Sequence, residues 1–144
     1  MRARTPFTAA GTANARRIGL FDGILIKENH ILAAGGIAPA LAAARAQARS
    51  TQAGTMIQIE VESLAQLEEA IAAGAKLILL DNFTPERMTE AVRITAGRAE
   101  LEASGGINLD TIRAYAQTGV DRISVGALTK DIRAIDLSMR FQAG

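Results

Sequence analysis

The sequence predicts an α/β fold: a partial (β/α) barrel of about five βα units with parallel strands. Three observations carry this. Short apolar runs alternate with helical stretches that have their own start and stop signals. From the second run on, strand starts fall about every twenty residues, the spacing of βαβ units with short links. Within the strands, polar and apolar residues alternate.

Residues 1–17 lack a clear period and read as irregular. The strand candidates are Gly23–Lys27, Met56–Glu62, Leu77–Asp81, Ala99–Ser104 and Arg122–Val125, all rich in Ile, Leu or Val. The first long helix, about Ile37–Ser50, is favoured by its Ala and Arg content. Ser63-Leu-Ala-Gln66 reads as a capping box, and Gly74 closes that helix. Thr84-Pro85-Glu86 reads as an N-cap followed by Pro at the first helical position, with Gly97 beyond the end. Asn108-Leu-Asp110 opens the next helix, and Gly119 ends it.

A doubly wound sheet and a barrel both fit alternating strands and helices. Strand parity separates them. Gln58, Glu60 and Glu62 share one face against Ile57, Ile59 and Val61. Glu100, Glu102 and Ser104 oppose Leu101 and Ala103, and Arg122, Ser124 and Gly126 oppose Ile123 and Val125. A sheet with helices on both faces reads apolar throughout. A polar face suits a barrel interior or its mouth. Five units fall short of an eight-stranded barrel, which takes about 250 residues.

Composition narrows the function classes. The chain has 144 residues, the scale of one domain. Sixteen Lys and Arg against 15 Asp and Glu give a net charge of +1, which excludes a charge-driven nucleic-acid or membrane-surface binder as the default. There is no Cys, so thiolate chemistry is excluded, and the single His30 excludes a multi-histidine metal cage. Aromatics are 3% and Trp is absent, so the core must come from Ala, Leu, Ile and Val. No apolar run reaches the ~18 residues of a membrane span, and no secretory signal pattern opens the chain. A reducing, cytoplasmic location fits.

The candidate chemistry lies at the carboxyl ends of the strands, where barrel enzymes place it. Ser104-Gly105-Gly106-Ile107 and Ser124-Val-Gly126-Ala127 follow the last two strands and read as phosphate cradles. Glu60 and Asp81 stand on neighbouring strands. They suit Mg²⁺ or ribose hydroxyls beside a phosphate, or equally ion pairs with Lys27 or Arg122. Lys27 and Arg17 are cations of the kind that a carboxylate or pyrophosphate substrate needs, or else solvated basic residues, which for Arg17 takes the larger share. His30 sits past the first strand at the rim, where a hydrogen-bonded structural role takes the larger share over catalysis. No Ser–His–Asp arrangement is present.

Several motifs occur in order. They are Ile18-Gly-Leu-Phe-Asp22, Ile24-Leu-Ile-Lys-Glu-Asn-His30, Ile59-Glu-Val-Glu62, Leu80-Asp-Asn-Phe83, Glu102-Ala-Ser-Gly-Gly-Ile107, Ile123-Ser-Val-Gly-Ala-Leu-Thr129 and Ala134-Ile-Asp-Leu-Ser138. From about Arg17 to Phe141 the chain resembles the carboxyl-terminal half of the quinolinate phosphoribosyltransferase family, also called nicotinate-nucleotide pyrophosphorylases (carboxylating). The resemblance makes residues 18–144 part of an α/β-barrel phosphoribosyltransferase domain.

It implies phosphoribosyl transfer from phosphoribosyl pyrophosphate to quinolinate with decarboxylation. The product is nicotinate mononucleotide, on the de novo route to NAD. It also implies Mg²⁺ and a homo-oligomer, dimer or larger. By the same resemblance Arg17, Lys27 and His30 fall to substrate binding, with Lys27, Glu60 and Asp81 catalytic. Glu60 and Asp81 hold the metal, and Ser104, Gly105, Gly106 and Gly126 hold phosphate. The family's Gly-rich Asn-His-Arg stretch reads here Gly11-Thr-Ala-Asn-Ala-Arg-Arg17, without the His. The family's amino-terminal α/β sandwich domain has no counterpart, so a truncated chain is expected. The competing expectation is a non-catalytic phosphate-binding fragment or interaction module derived from that enzyme.

Overall fold

A computed structural model describes residues 23–51, 55–126 and 139. The expected irregular segment 1–17, Arg17 within it, and the motif at 134–138 lie outside the described residues.

Five strands form one parallel sheet: β1 (Gly23–Ile26), β2 (Met56–Val61), β3 (Leu77–Asp81), β4 (Glu100–Ser104) and β5 (Arg122–Ile123). Five helices join them: α1 (Glu28–Ala34), α2 (Ile37–Thr51), α3 (Leu64–Ala72), α4 (Pro85–Thr95) and α5 (Ile112–Gln117). The spatial order β1-β2-β3-β4-β5 follows the chain without reversal. A doubly wound sheet reverses once, at its switch point. Crossovers of one hand, all advancing in one direction, place every helix on the same side. The architecture is therefore the arc of a barrel, as the strand parity predicts.

Register confirms the two faces. Ile24, Ile57 and Ile26, Ile59 pair across β1 and β2, and Ile59, Ile78 and Val61, Leu80 across β2 and β3. Ile78, Leu101 and Leu80, Ala103 follow, and then Ala103, Ile123. This face meets the helices. Ile59, Val61, Ile78, Leu80 and Ala103 are buried against Leu41 of α2, Leu67 and Ala70 of α3, and Met88 and Ala91 of α4. The other face carries Gln58 and Glu60, Leu77 and Leu79, Glu100 and Glu102, and Arg122. Leu25, Met56, Leu77 and Leu79 are its apolar members, and for Leu77 and Leu79 the parity of the flanking strands does not announce them. Arg122 pairs there with Glu100.

The expected caps at Ser63 and Thr84 form, with one shift. Ser63 Oγ accepts from the Gln66 amide at 3.2 Å, while Gln66 Oε1 reaches one residue further back, to the Glu62 amide at 2.8 Å. Thr84 Oγ1 accepts from the Arg87 amide, with Pro85 opening α4. A backbone amide at that helix start, and then the Thr84 hydroxyl, hold the Glu86 carboxyl below its usual range. Asn108 Oδ1 accepts from the Asp110 and Thr111 amides in a turn, and α5 itself starts at Ile112, later than the expected opening at Asn108–Asp110.

The sequence reading has no helix at Glu28–Ala34, yet α1 forms there. Its N-cap is Lys27, which offers no capping oxygen, and Gly35 in the left-handed region closes it. β5 is shorter than expected, because past Ile123 the chain turns into Ser124–Gly126. Among the described residues no single helix is long and apolar enough to cross a membrane.

Candidate active site

The polar face ends at the carboxyl edge of the sheet, and there the predicted residues assemble. Lys27 follows β1 directly, Glu60 precedes the last residue of β2, Asp81 ends β3 and Ser104 ends β4. Alternation fixes their direction. Glu60 pairs with Leu79, Leu79 with Glu102 and Asp81 with Ser104, so all share the face away from the helices.

Two of the predicted groups meet outright. Lys27 Nζ lies 3.3 Å from Glu60 Oε2, with the lysine side chain half exposed and the glutamate side chain 11% exposed. Lys27 is one of the partners expected for Glu60. Asp81 and Ser104 stand side by side in register. Glu60 and Asp81 sit diagonally, roughly 8 Å apart between Cα atoms from strand spacing and rise. Neither is bonded to the other. Among the described residues no three Asp, Glu or His side chains converge as a metal cage. Mg²⁺ does not require one: it commonly takes one or two carboxylates and completes its shell with water and substrate phosphates. The donor set of Asp81 and Glu60 fits that pattern.

His30 is used locally. Its Nδ1 accepts from the Lys27 backbone amide at 3.0 Å, capping the start of α1. At the third helical position the ring does the work of the Glu or Gln in a capping box, and it holds the backbone of Lys27. The sequence reading leaves this open between a rim group and a structural one.

The phosphate-loop candidates Gly105 and Gly106 have φ of +89° and +63°, which bends the chain sharply after Ser104. At Gly105 more than backbone freedom is at stake. A Cβ there would lie 2.3 Å from Asn82 Oδ1 and 2.7 Å from the Asn82 backbone nitrogen. Gly126 follows β5 and is exposed.

Three groups outside the predicted set also belong to this face. Glu102 accepts from Gln58 Nε2 at 2.8 Å and from the Ser124 hydroxyl at 2.5 Å. One carboxylate thus ties β2, β4 and the chain after β5, just below the rim. The parity of Gln58, Glu102 and Ser124 is legible in the sequence, but their meeting depends on the curvature of the sheet. Asn82 is the third addition to the rim itself. Its signal is an Asn directly after a strand-ending Asp, since Asn tolerates the left-handed region.

The rim loops are braced from outside. The Tyr115 hydroxyl of α5 donates to the Phe83 carbonyl at 3.0 Å. The Arg87 guanidinium lies 4.5 Å over the Phe83 ring and donates to the Glu62 carbonyl.

A family model described as "Quinolinate phosphoribosyl transferase, C-terminal domain" matches residues 4–140. The solved nicotinate-nucleotide pyrophosphorylase of Francisella tularensis is 52% identical, with a TM-score of 0.74 over 85% of this chain and 42% of its own. The solved NadC of Streptococcus pyogenes is 42% identical, with a TM-score of 0.77 over 87% of this chain and 43% of its own. The nicotinate-nucleotide pyrophosphorylase (carboxylating) of Mycobacterium leprae is 43% identical over 126 residues, 85% of this chain and 43% of that protein. The chain thus spans less than half the length of these relatives. It belongs to the quinolinate phosphoribosyltransferase family and corresponds to the family's C-terminal domain.

Proposed function

We propose that this chain carries the phosphoribosyl-transfer site of a quinolinate phosphoribosyltransferase. The reaction moves the phosphoribosyl group of phosphoribosyl pyrophosphate to quinolinate, with loss of CO₂, giving nicotinate mononucleotide for NAD biosynthesis. The observation that carries this is the joint placement of Lys27–Glu60 and Asp81–Ser104 on one face, at one end of the sheet.

The chemistry asks for placed charge more than for a nucleophile. The pyridine nitrogen bonds to the anomeric carbon as pyrophosphate leaves with the electron pair of the broken C–O bond. The carboxylate beside that nitrogen departs as CO₂, and its ring carbon takes up a proton. The ribosyl transition state is cationic, so carboxylates fixed beside it stabilise it at little reorganisation cost.

Lys27, half exposed, exchanges its Glu60 partner for a quinolinate carboxylate, with Arg17 as a second cation. Glu60, released, and Asp81 face the ribose and the ion. Ser104, Gly105, Gly106 and Gly126 take phosphate. When bound, Mg²⁺ would neutralise the pyrophosphate, held by Asp81 and Glu60. His30 serves through the backbone of Lys27. The working protein in this reading is a cytoplasmic homo-oligomer, dimer or larger.

A second reading is a non-catalytic phosphate-binding module derived from the enzyme. The Gly11–Arg17 stretch, which lacks the family's His, favours it. Incubation with quinolinate, phosphoribosyl pyrophosphate and Mg²⁺ separates the two. Nicotinate mononucleotide and pyrophosphate in equal amounts, lost in Lys27→Ala, support the enzyme. A folded chain that binds phosphoribosyl pyrophosphate without product supports the module.

A further inference from the structure

We infer that Asn82 is a positioning residue of this site, fixing the Asp81 carboxylate against the Ser104–Gly106 loop; the inference rests on the phosphoribosyltransferase reading. Three contacts converge on this one side chain and its backbone. Asn82 Nδ2 donates to Asp81 Oδ2 at 2.7 Å. The Asn82 amide donates to the Ser104 carbonyl at 3.1 Å. Asn82 Oδ1 and its backbone nitrogen lie against the α-carbon of Gly105 so closely that no Cβ fits between them.

The amide has only one workable orientation. A carboxylate oxygen accepts and does not donate, so the NH₂ must face Asp81 and the carbonyl oxygen must face Gly105. Asn82 has φ of +56°, a conformation that Asn and Gly tolerate better than other residues. The residue is exposed, so burial does not impose this arrangement. The turn joins the acid that ends β3 to the loop that ends β4, two neighbouring parts of the candidate site. One Asp81 oxygen is held by Asn82, and the other remains for substrate or ion.

The variants Asn82→Gly and Asn82→Asp separate this role from a merely structural one. Glycine keeps the left-handed turn and removes both amide contacts. Aspartate keeps the size and places a like charge beside Asp81. Calorimetric titration of the whole chain with phosphoribosyl pyrophosphate and Mg²⁺ reads affinity, and a thermal melt reads stability.

The expected result is a loss of about tenfold or more in affinity for both variants, the scale on which residues orienting a ligand-binding carboxylate act, with melting temperatures near that of the parent. Parent-like affinity in Asn82→Gly overturns the inference and leaves the phosphoribosyltransferase reading standing. So does a loss that only tracks the unfolded fraction in both variants. A folded parent chain that binds no phosphoribosyl pyrophosphate overturns the reading itself, and the inference with it.

Discussion

Lys27 and Glu60 face each other across the seam between β1 and β2, ammonium 3.3 Å from carboxylate. The pair is half open to solvent on the lysine side. Such pairs contribute about 0–1 kcal/mol to stability, since screening and side-chain ordering offset the attraction. Lys27→Ala therefore shifts the melting temperature by no more than about 2–4 °C. On the proposed function it abolishes quinolinate binding. A melt and a quinolinate titration on the same variant check both halves, and a large stability loss with intact binding would make the pair structural.

Gly105 and Gly106 distinguish close approach from backbone freedom. Both have positive φ, but only Gly105 has atoms of Asn82 where a Cβ would go. Gly106→Ala meets nothing within 4 Å and costs about 1–2 kcal/mol for the left-handed conformation alone. Gly105→Ala must also displace the Asn82 turn and costs more, by about 1–3 kcal/mol of added strain. Denaturant unfolding of the two variants measures the gap. Equal losses would contradict the close packing of the two loops.

Thr95 is 2% exposed on α4, and among the described residues its Oγ1 has no hydrogen-bond partner. An unmade buried hydrogen bond leaves a desolvation penalty of about 1–3 kcal/mol. Thr95→Val keeps the shape and removes the hydroxyl. It should raise stability by about 1 kcal/mol without touching ligand affinity. A lower melting temperature would show that the hydroxyl is satisfied after all.

The caps at Ser63 and Thr84 differ in geometry, with contacts of 3.2 Å and 3.4 Å to their helix amides. Ser63→Ala should cost about 1 kcal/mol and Thr84→Ala less, because the longer bond is weaker. Hydrogen exchange at the Gln66 and Arg87 amides reads each cap separately.

Much of this fold is legible in the residues because two periodicities agree. The alternation in Met56–Val61 and Glu100–Ser104 states which face meets the helices, and the caps at Ser63 and Thr84 state where α3 and α4 start. Helix α1 was not legible, since its N-cap is Lys27 in place of Ser, Thr, Asp or Asn, and a histidine ring stands three residues on where Glu or Gln is the usual signal. The site was legible as a row of strand-end residues. Partner choice was not, because alternation gives a side chain's face but not its reach. Glu60 toward Lys27, and Glu102 toward both Gln58 and Ser124, are set by sheet curvature and side-chain length. Asn82 was hidden in plain view, because its role comes from a backbone turn and from what Gly105 lacks.

The central claim is that the polar face at the carboxyl ends of the strands receives the substrate phosphates. Titrating phosphoribosyl pyrophosphate with Mg²⁺ into the ¹⁵N-labelled chain, and mapping amide shifts, tests it most directly. The account predicts shifts concentrated at Lys27, Glu60, Asp81, Ser104–Gly106 and Gly126, with the helix-covered face silent. Shifts centred on α2, α3 or α4, or none at all from a folded chain, would contradict it.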